Sequence, residues 1–193
     1  MNHVPICQIQ TEQLVLRKLR AEDAENYYRF LGGSEAVTRF MLFHPHGSLE
    51  ESVASVEKAL GRYEEGGFYR WGVTRKGEDS LIGVIDLLRI DDERKTCSFA
   101  YMLAESCWGR GYGTQMLRAV LEFAFRNLGM ETVEADHMAE NPASGAVMRK
   151  AGMEYVETVR NKYCKNGEYH DAHAYRIDRK RWEEQTGTEK ITP

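Results

Sequence analysis

The densest group of residues able to do chemistry is Trp108-Gly109-Arg110-Gly111-Tyr112-Gly113-Thr114. Three glycines at alternate positions stand just before residues 114–128, whose apolar spacing predicts a helix. A helix N-terminus offers N–H groups without intrahelical partners and the positive end of the macrodipole, so it favours an anion. Glycine lets the backbone approach a phosphate closely, and Arg110 adds a charge-assisted donor. The alternative is a tight turn whose glycines only relieve strain. A Walker loop is excluded, because no Gly-x4-Gly-Lys-Ser/Thr run exists. A dinucleotide fingerprint also fails: the spacing is GxGxG, and the loop follows three predicted strands rather than a first one.

A second group lies downstream. Asn141 is a good helix N-cap with Pro142 at the first helical position, and Ser144 falls in the first turn. Ser144 could bond local backbone or act on a reacting group. Asp136 and His137 close a predicted strand, where they could relay a proton or face solvent. His44, His46, His170 and His173 supply no set of four ligands with zinc spacing, so no metal is expected. Cys107 stands beside the glycine turn without an evident activating partner.

The elements that must position these residues are legible from pattern. Residues 14–19 read as a strand and 21–31 as a helix stopped by Gly32 and Gly33. Residues 34–47 read as irregular. Ser48 with Glu51 is a capping-box signature for a helix ending near Gly61. Phe68–Arg75, Leu81–Leu88 and Thr96–Leu103 predict an antiparallel meander with turns at Lys76–Ser80 and Asp91–Lys95. Phe68, Tyr69 and Trp71 are most simply core residues. Helix 114–128 follows, with Leu117, Val120, Leu121, Ala124 and Leu128 on one face and Gly129 at its C-terminal end. Then come strand Thr132–Met138, the Asn141 helix ending at Gly152, and strands 153–160 and 172–178 joined around Asn166-Gly167. Residues 183–193 read as a polar, frayed tail after a single domain over 1–182.

In these residues the chain resembles the GNAT acetyltransferases. Gly111-x-Gly113 fits their R/Q-x-x-G-x-G/A signature, with Trp108 in the R/Q position. The tryptophan variant is similar to the RimJ/RimL branch, which acetylates N-terminal amines of ribosomal proteins. Asn141-Pro142-Ala143-Ser144, Val147-Met148-Arg149-Lys150-Ala151-Gly152-Met153 and the opening Leu14-Val15-Leu16-Arg17 with Asp23 are similar to that branch as well. The resemblance spans residues 12–180 and implies a mixed α/β fold. Its central, mostly antiparallel sheet would have about seven strands, splayed between the fourth and fifth, with four to five flanking helices.

The resemblance implies acetyl-CoA as donor and a primary amine as acceptor: a protein or peptide N-terminus, or alternatively a small amine such as a polyamine. A non-catalytic CoA-binding module is the third reading. The pyrophosphate would lie on the amides of residues 109–114 (Gly109, Arg110, Gly111, Tyr112, Gly113, Thr114), beside Trp108. The pantetheine arm would pair with Met102 and Leu103, with Asn141, Ser144 and Lys150 completing the donor site. His44, Tyr101 and Asp136 would meet the acceptor. Where relatives carry an acidic tyrosine, Met148 stands here, so Ser144 becomes the candidate acid or water relay, with His137 and Tyr163 as further catalytic candidates. The usual glutamate base is replaced by Ser98 or Tyr163. An α-amine, with a pKa near 8 against about 10.4 for lysine, fits the lack of a strong base.

Composition bounds the partners. The 193 residues carry 30 acidic and 26 basic side chains, a net charge of −4, and 42% apolar content. No basic surplus speaks for nucleic acid. The longest apolar stretch, Leu81–Leu88, is broken by Gly83 and Asp86 and is too short to cross a bilayer. Met1–Gln13 shows no secretory pattern, and the scattered Cys7, Cys97, Cys107 and Cys164 read as free thiols. A cytoplasmic monomer or homodimer is expected.

Overall fold

The strand-forming sequences of the first half of the chain pair as neighbours along one sheet in the computed structural model. The structure describes residues 4–187. Its strands are β1 (Ile9–Gln10), β2 (Leu14–Arg17), β3 (Tyr69–Arg75), β4 (Leu81–Asp91), β5 (Thr96–Leu103), β6 (Thr132–Met138), β7 (Glu154–Lys165) and β8 (Glu168–Asp178). The helices are α1 (Asp23–Tyr27), α2 (Glu35–Thr38), α3 (Leu49–Arg62), α4 (Tyr112–Arg126), α5 (Pro142–Lys150) and α6 (Arg179–Thr186). A π-helical turn over Tyr28–Gly32 prolongs α1, and a 3-10 turn spans Glu105–Cys107.

The sheet runs β1-β2-β3-β4-β5-β6-β8-β7. Every pairing is antiparallel except β5 with β6. That parallel pair is linked by the α4 crossover, as parallel neighbours require. It holds together only from Thr96↔Thr132 to Ser98↔Glu134. Beyond Ser98 the two strands diverge, and the sheet opens in a wedge at the expected place.

One face of the sheet packs on α4, whose apolar side chains are buried while Arg118, Glu122 and Arg126 form an exposed stripe on the opposite side. Trp71 and Tyr69 meet Phe123 with ring centroids 5.2 and 5.4 Å apart. Their polar ends are satisfied by the N-terminal segment, Trp71 Nε1 donating to the Cys7 carbonyl and Tyr69 Oη to that of Val4, both at 2.8 Å. Arg17 and Asp23 form a buried two-pronged ion pair (2.8 and 2.9 Å) that ties β2 to α1. Arg70 and Asp86 do the same between β3 and β4 (2.6 and 2.9 Å).

Several boundaries differ from the sequence expectation. The eighth strand is the two-residue β1, too short to leave a pattern. Residues 35–38, expected irregular, form the one-turn α2, whose N-cap Ser34 accepts a bond from the Val37 N–H. The Ser48 capping box does not close: Ser48 makes no cap bond, and Glu51 accepts from the Gly47 N–H instead. Helix α4 starts at Tyr112, two residues early. β7 and β8 extend to the turn itself, where Asn166 (φ 54°) and Gly167 (φ 82°) take the left-handed conformations of a two-residue hairpin. α6 carries residues 183–186 in its last turn, so the expected tail does not begin at Glu183. Buried Trp182 anchors this helix on Phe125 (centroids 5.2 Å apart), while residues 188–193 lie outside the described residues.

Candidate active site

The wedge between β5 and β6 is the mouth of a cleft of about 520 Å³, bounded by the glycine turn, α5 and the stretch around α2. Its geometry begins with backbone dihedrals. Gly109 and Gly111 have φ of 71° and 80°, and a Cβ on either would meet nothing within 4 Å. These two glycines answer a conformational demand and not a shortage of space. Gly111 is the N-cap of α4, without a side-chain cap. The first intrahelical bond runs from Gln115 N–H to the Gly111 carbonyl (3.0 Å), leaving the N–H groups of Tyr112, Gly113 and Thr114 without helical partners. Gly113 serves a different purpose, since a Cβ there would stand 3.1 Å from Val147 Cγ2, where α4 crosses α5.

Strand β5 forms one side of the wedge. Ala104 N–H donates to the Ile82 carbonyl at 2.8 Å, and a Cβ on Gly83 would touch the Met102 carbonyl, so Met102 directs its backbone at β4. Alternation along the strand turns the backbone of Tyr101 and Leu103 toward the cleft. The expected Met102–Leu103 strand edge is therefore Tyr101 and Leu103, with Met102 contributing as a buried side chain that lines the cleft. Trp108 closes this end: its indole N–H donates to the Leu103 carbonyl (2.8 Å), while about half of the side chain stays exposed.

On the other side Asn141 caps α5, its Oδ1 accepting from the Ser144 N–H at 3.3 Å. Ser144 thereby projects from the first turn of α5 into the cleft. Tyr101 reaches across the wedge and donates its hydroxyl to Ser144 Oγ at 3.4 Å, longer than a strong hydroxyl bond. Burial pushes the Tyr101 phenol above its ordinary value, with the Ser144 bond opposing it, so the group stays protonated at neutral pH. Sequence reasoning placed Tyr101 against the acceptor and missed this pairing. Met148, buried and lining the cleft, occupies the place where a proton donor was sought.

Asp136 also lines the cleft, but its carboxylate is occupied: Tyr163 Oη donates to Oδ1 and Lys162 Nζ to Oδ2. Tyr163 is thus a partner of Asp136 and does not itself line the cleft. His137 lines the cleft and is 7% exposed. Its Nδ1 lies 2.7 Å from the Met138 carbonyl, which can only accept, so Nδ1 carries the hydrogen and Nε2 holds a lone pair. Nε2 has no hydrogen-bond partner and faces the α5 backbone at Gly145, near the Tyr175 hydroxyl. Burial pushes the His137 pKa down, helped by His173 and Arg149. This imidazole packs against α5 at the edge of the cleft.

Besides Tyr163, two expected site residues fall elsewhere. Arg110 and His44 are exposed and outside the cleft lining. The cleft wall around α2 is instead made by Ala36, Val37, Phe40 and Met41. His46 bonds Ser52 Oγ through Nδ1 (2.7 Å) and stacks on Tyr27, so it fastens the loop to α3. Lys150 lines the cleft, and its carbonyl accepts from Arg118 Nη2 at 2.6 Å, which ties the end of α5 to α4. Lys165 was missed altogether. Its ammonium donates to the carbonyls of Thr38, Arg39 and Met41, contacts between segments well over a hundred residues apart that no local pattern could signal.

A sheet opened beside a helix N-terminus, with two hydroxyls meeting in the wedge, offers amides for an anion and a strand edge for an extended ligand. The chain belongs to the GNAT acetyltransferase family: residues 13–154 match the acetyltransferase (GNAT) domain. It is 25% identical to the N-acetyltransferase YoaA of Bacillus subtilis over 169 residues, 88% of this chain and 95% of the relative. The fold matches that of RimL, a ribosomal L7/L12 α-N-protein acetyltransferase solved with coenzyme A (TM-score 0.79, 22% identity, 89% of this chain and 98% of that one). It also matches a spermidine N-acetyltransferase from Vibrio cholerae solved with CoA and spermine (TM-score 0.77, 20% identity, 89% and 99%). The protein is an N-acetyltransferase whose donor is acetyl-CoA.

Proposed function

We propose that the enzyme transfers acetyl directly to the α-amine of a protein or peptide N-terminus. One observation carries this reading: among the described residues the single acidic side chain lining the cleft, Asp136, is taken by Lys162 and Tyr163. Among the described residues no free carboxylate lines the cleft to deprotonate a strongly basic ammonium. At neutral pH an α-amine, with pKa near 8, needs about 3 kcal/mol less than a lysine-like amine to become neutral.

Acetyl-CoA supplies the activated thioester. The residues that fit it are the unpartnered amides of Tyr112, Gly113 and Thr114 for phosphate, and the cleft-facing backbone of Tyr101 with the Leu103 N–H, the Leu103 carbonyl being held by Trp108, for the amides of the arm. Trp108, Asn141 and Lys150 flank that path. The acceptor nitrogen forms its bond to the acetyl carbon as the carbon–sulfur bond breaks, and the departing sulfur needs a proton. Tyr101 donates to Ser144 Oγ, which leaves the Ser144 hydroxyl hydrogen free to point into the cleft. The two hydroxyls form a short relay in which Ser144 protonates the sulfur, Tyr101 reprotonates Ser144, and the proton shed by the acceptor nitrogen returns to Tyr101 through solvent.

The test is CoA release with short peptides beside spermidine, after calorimetry has established acetyl-CoA binding. Turnover of peptides and not of spermidine is expected. Turnover of spermidine alone overturns the α-amine reading.

A further inference from the structure

The acceptor wall opposite α5 is apolar in every side chain that forms it. Ala36, Val37, Phe40 and Met41 line the cleft, are half-buried, and carry no hydrogen-bonding side-chain group except the weakly accepting Met41 sulfur. Met138, at the end of β6, continues this surface. Asp136 is neutralised where it stands.

The wall is also held in place. Lys165, the last residue of β7, donates to the carbonyls of Thr38 (2.8 Å), Arg39 (2.9 Å) and Met41 (2.7 Å). Three ammonium hydrogens meet three acceptors, so the charge is fully engaged and ends the one-turn α2 as a cation should. The β7–β8 hairpin is thereby clamped to the segment that presents Phe40 and Met41. Just outside, a smaller pocket sets Arg39 and Lys165 against Glu140 and Glu168, and Glu140 is paired with His170 at 3.1 Å. Charges there are balanced, and a second ammonium on the acceptor would find no surplus of negative charge.

Resting on the α-amine reading above, we infer that the preferred acceptor is a chain whose first residue has an apolar side chain, seated on Val37, Phe40 and Met41, with Lys165 as the positioning residue of that seat. The amine would enter the wedge beside Ser144 while the first side chain lies along the wall. A polar or charged first side chain would lose its water there without gaining a partner.

The experiment compares peptides identical except for the first residue (Met, Leu, Ser, Asp or Lys), with spermidine alongside, in a CoA-release assay. The Met and Leu peptides should exceed the Ser, Asp and Lys peptides in kcat/KM by about tenfold or more. Met41→Asp should remove that preference, and the milder Met41→Gln should weaken it if the aspartate variant does not fold. Lys165→Met should raise the peptide KM several-fold with acetyl-CoA affinity unchanged by calorimetry, and Lys165→Arg should restore part of the loss.

Equal turnover of the Ser or Asp peptide overturns the apolar seat while the α-amine reading stands. Acetylation of spermidine alone, or of no acceptor in the panel, overturns both. An unchanged peptide KM in Lys165→Met removes Lys165 from the seat.

Discussion

Replacing Gly111 by alanine probes the anion end of the cleft, because the structure separates conformational strain from crowding there. Gly111 has φ of 80°, and a Cβ would meet no atom within 4 Å. The whole penalty therefore comes from forcing an L residue into the left-handed region, about 1–2 kcal/mol. The turn can keep its conformation, and the penalty then appears as lost stability. For a chain of this size that is a fall in Tm of roughly 2–8 °C. Alternatively the turn relaxes, the amides of Tyr112, Gly113 and Thr114 swing away, and acetyl-CoA binding weakens. Each 1.4 kcal/mol of loss is about tenfold in Kd. Thermal unfolding and calorimetric titration with acetyl-CoA, run on the same preparation, should together account for the penalty. Gly111→Asn should recover part of it, because asparagine tolerates this conformation. The reasoning fails if Gly111→Ala matches the parent in both measurements, or if asparagine is no better than alanine.

Tyr101→Phe and Ser144→Ala should each lower kcat about a hundredfold, and the double variant should be no slower than the worse single one, since both act on one proton; losses that multiply would mean separate roles. Arg17→Met leaves the buried Asp23 carboxylate without its two-pronged partner and should cost about 3–5 kcal/mol in urea unfolding, where a loss below 1 kcal/mol would contradict the pair's importance. His137 has its pKa pushed below the ordinary histidine value, so the folded state resists a proton that the unfolded chain accepts. Its contribution to stability is present above about pH 6.5 and fades as pH falls below that value. The stability of His137→Gln should accordingly depend less on pH between 7 and 5, and an unchanged slope would refute this.

Much of the fold was legible because its signals are local. The meander, the Asn141–Pro142 helix start and the Asn166–Gly167 turn each rest on a few adjacent residues with fixed dihedral preferences. The short α2 was not, because a one-turn helix has too few residues to show a period, and its cap at Ser34 resembles any loop serine. The Ser48 signature misled for the opposite reason: the residue types fit a capping box, but the Glu51 carboxylate satisfies Gly47 instead.

At the site the division is similar. By itself the sequence determined the glycine turn, the order of the elements and the serine in the first turn of α5, since left-handed backbone and helix capping are properties of short segments. Only the tertiary structure decided that Tyr101 meets Ser144, that Asp136 is spent on Lys162 and Tyr163, that His44 lies away from the cleft, and that Lys165 holds the wall opposite α5. Each of those contacts joins segments between 26 and 127 residues apart. They depend on where the splayed sheet places its strands, and no local preference of the chain encodes that distance.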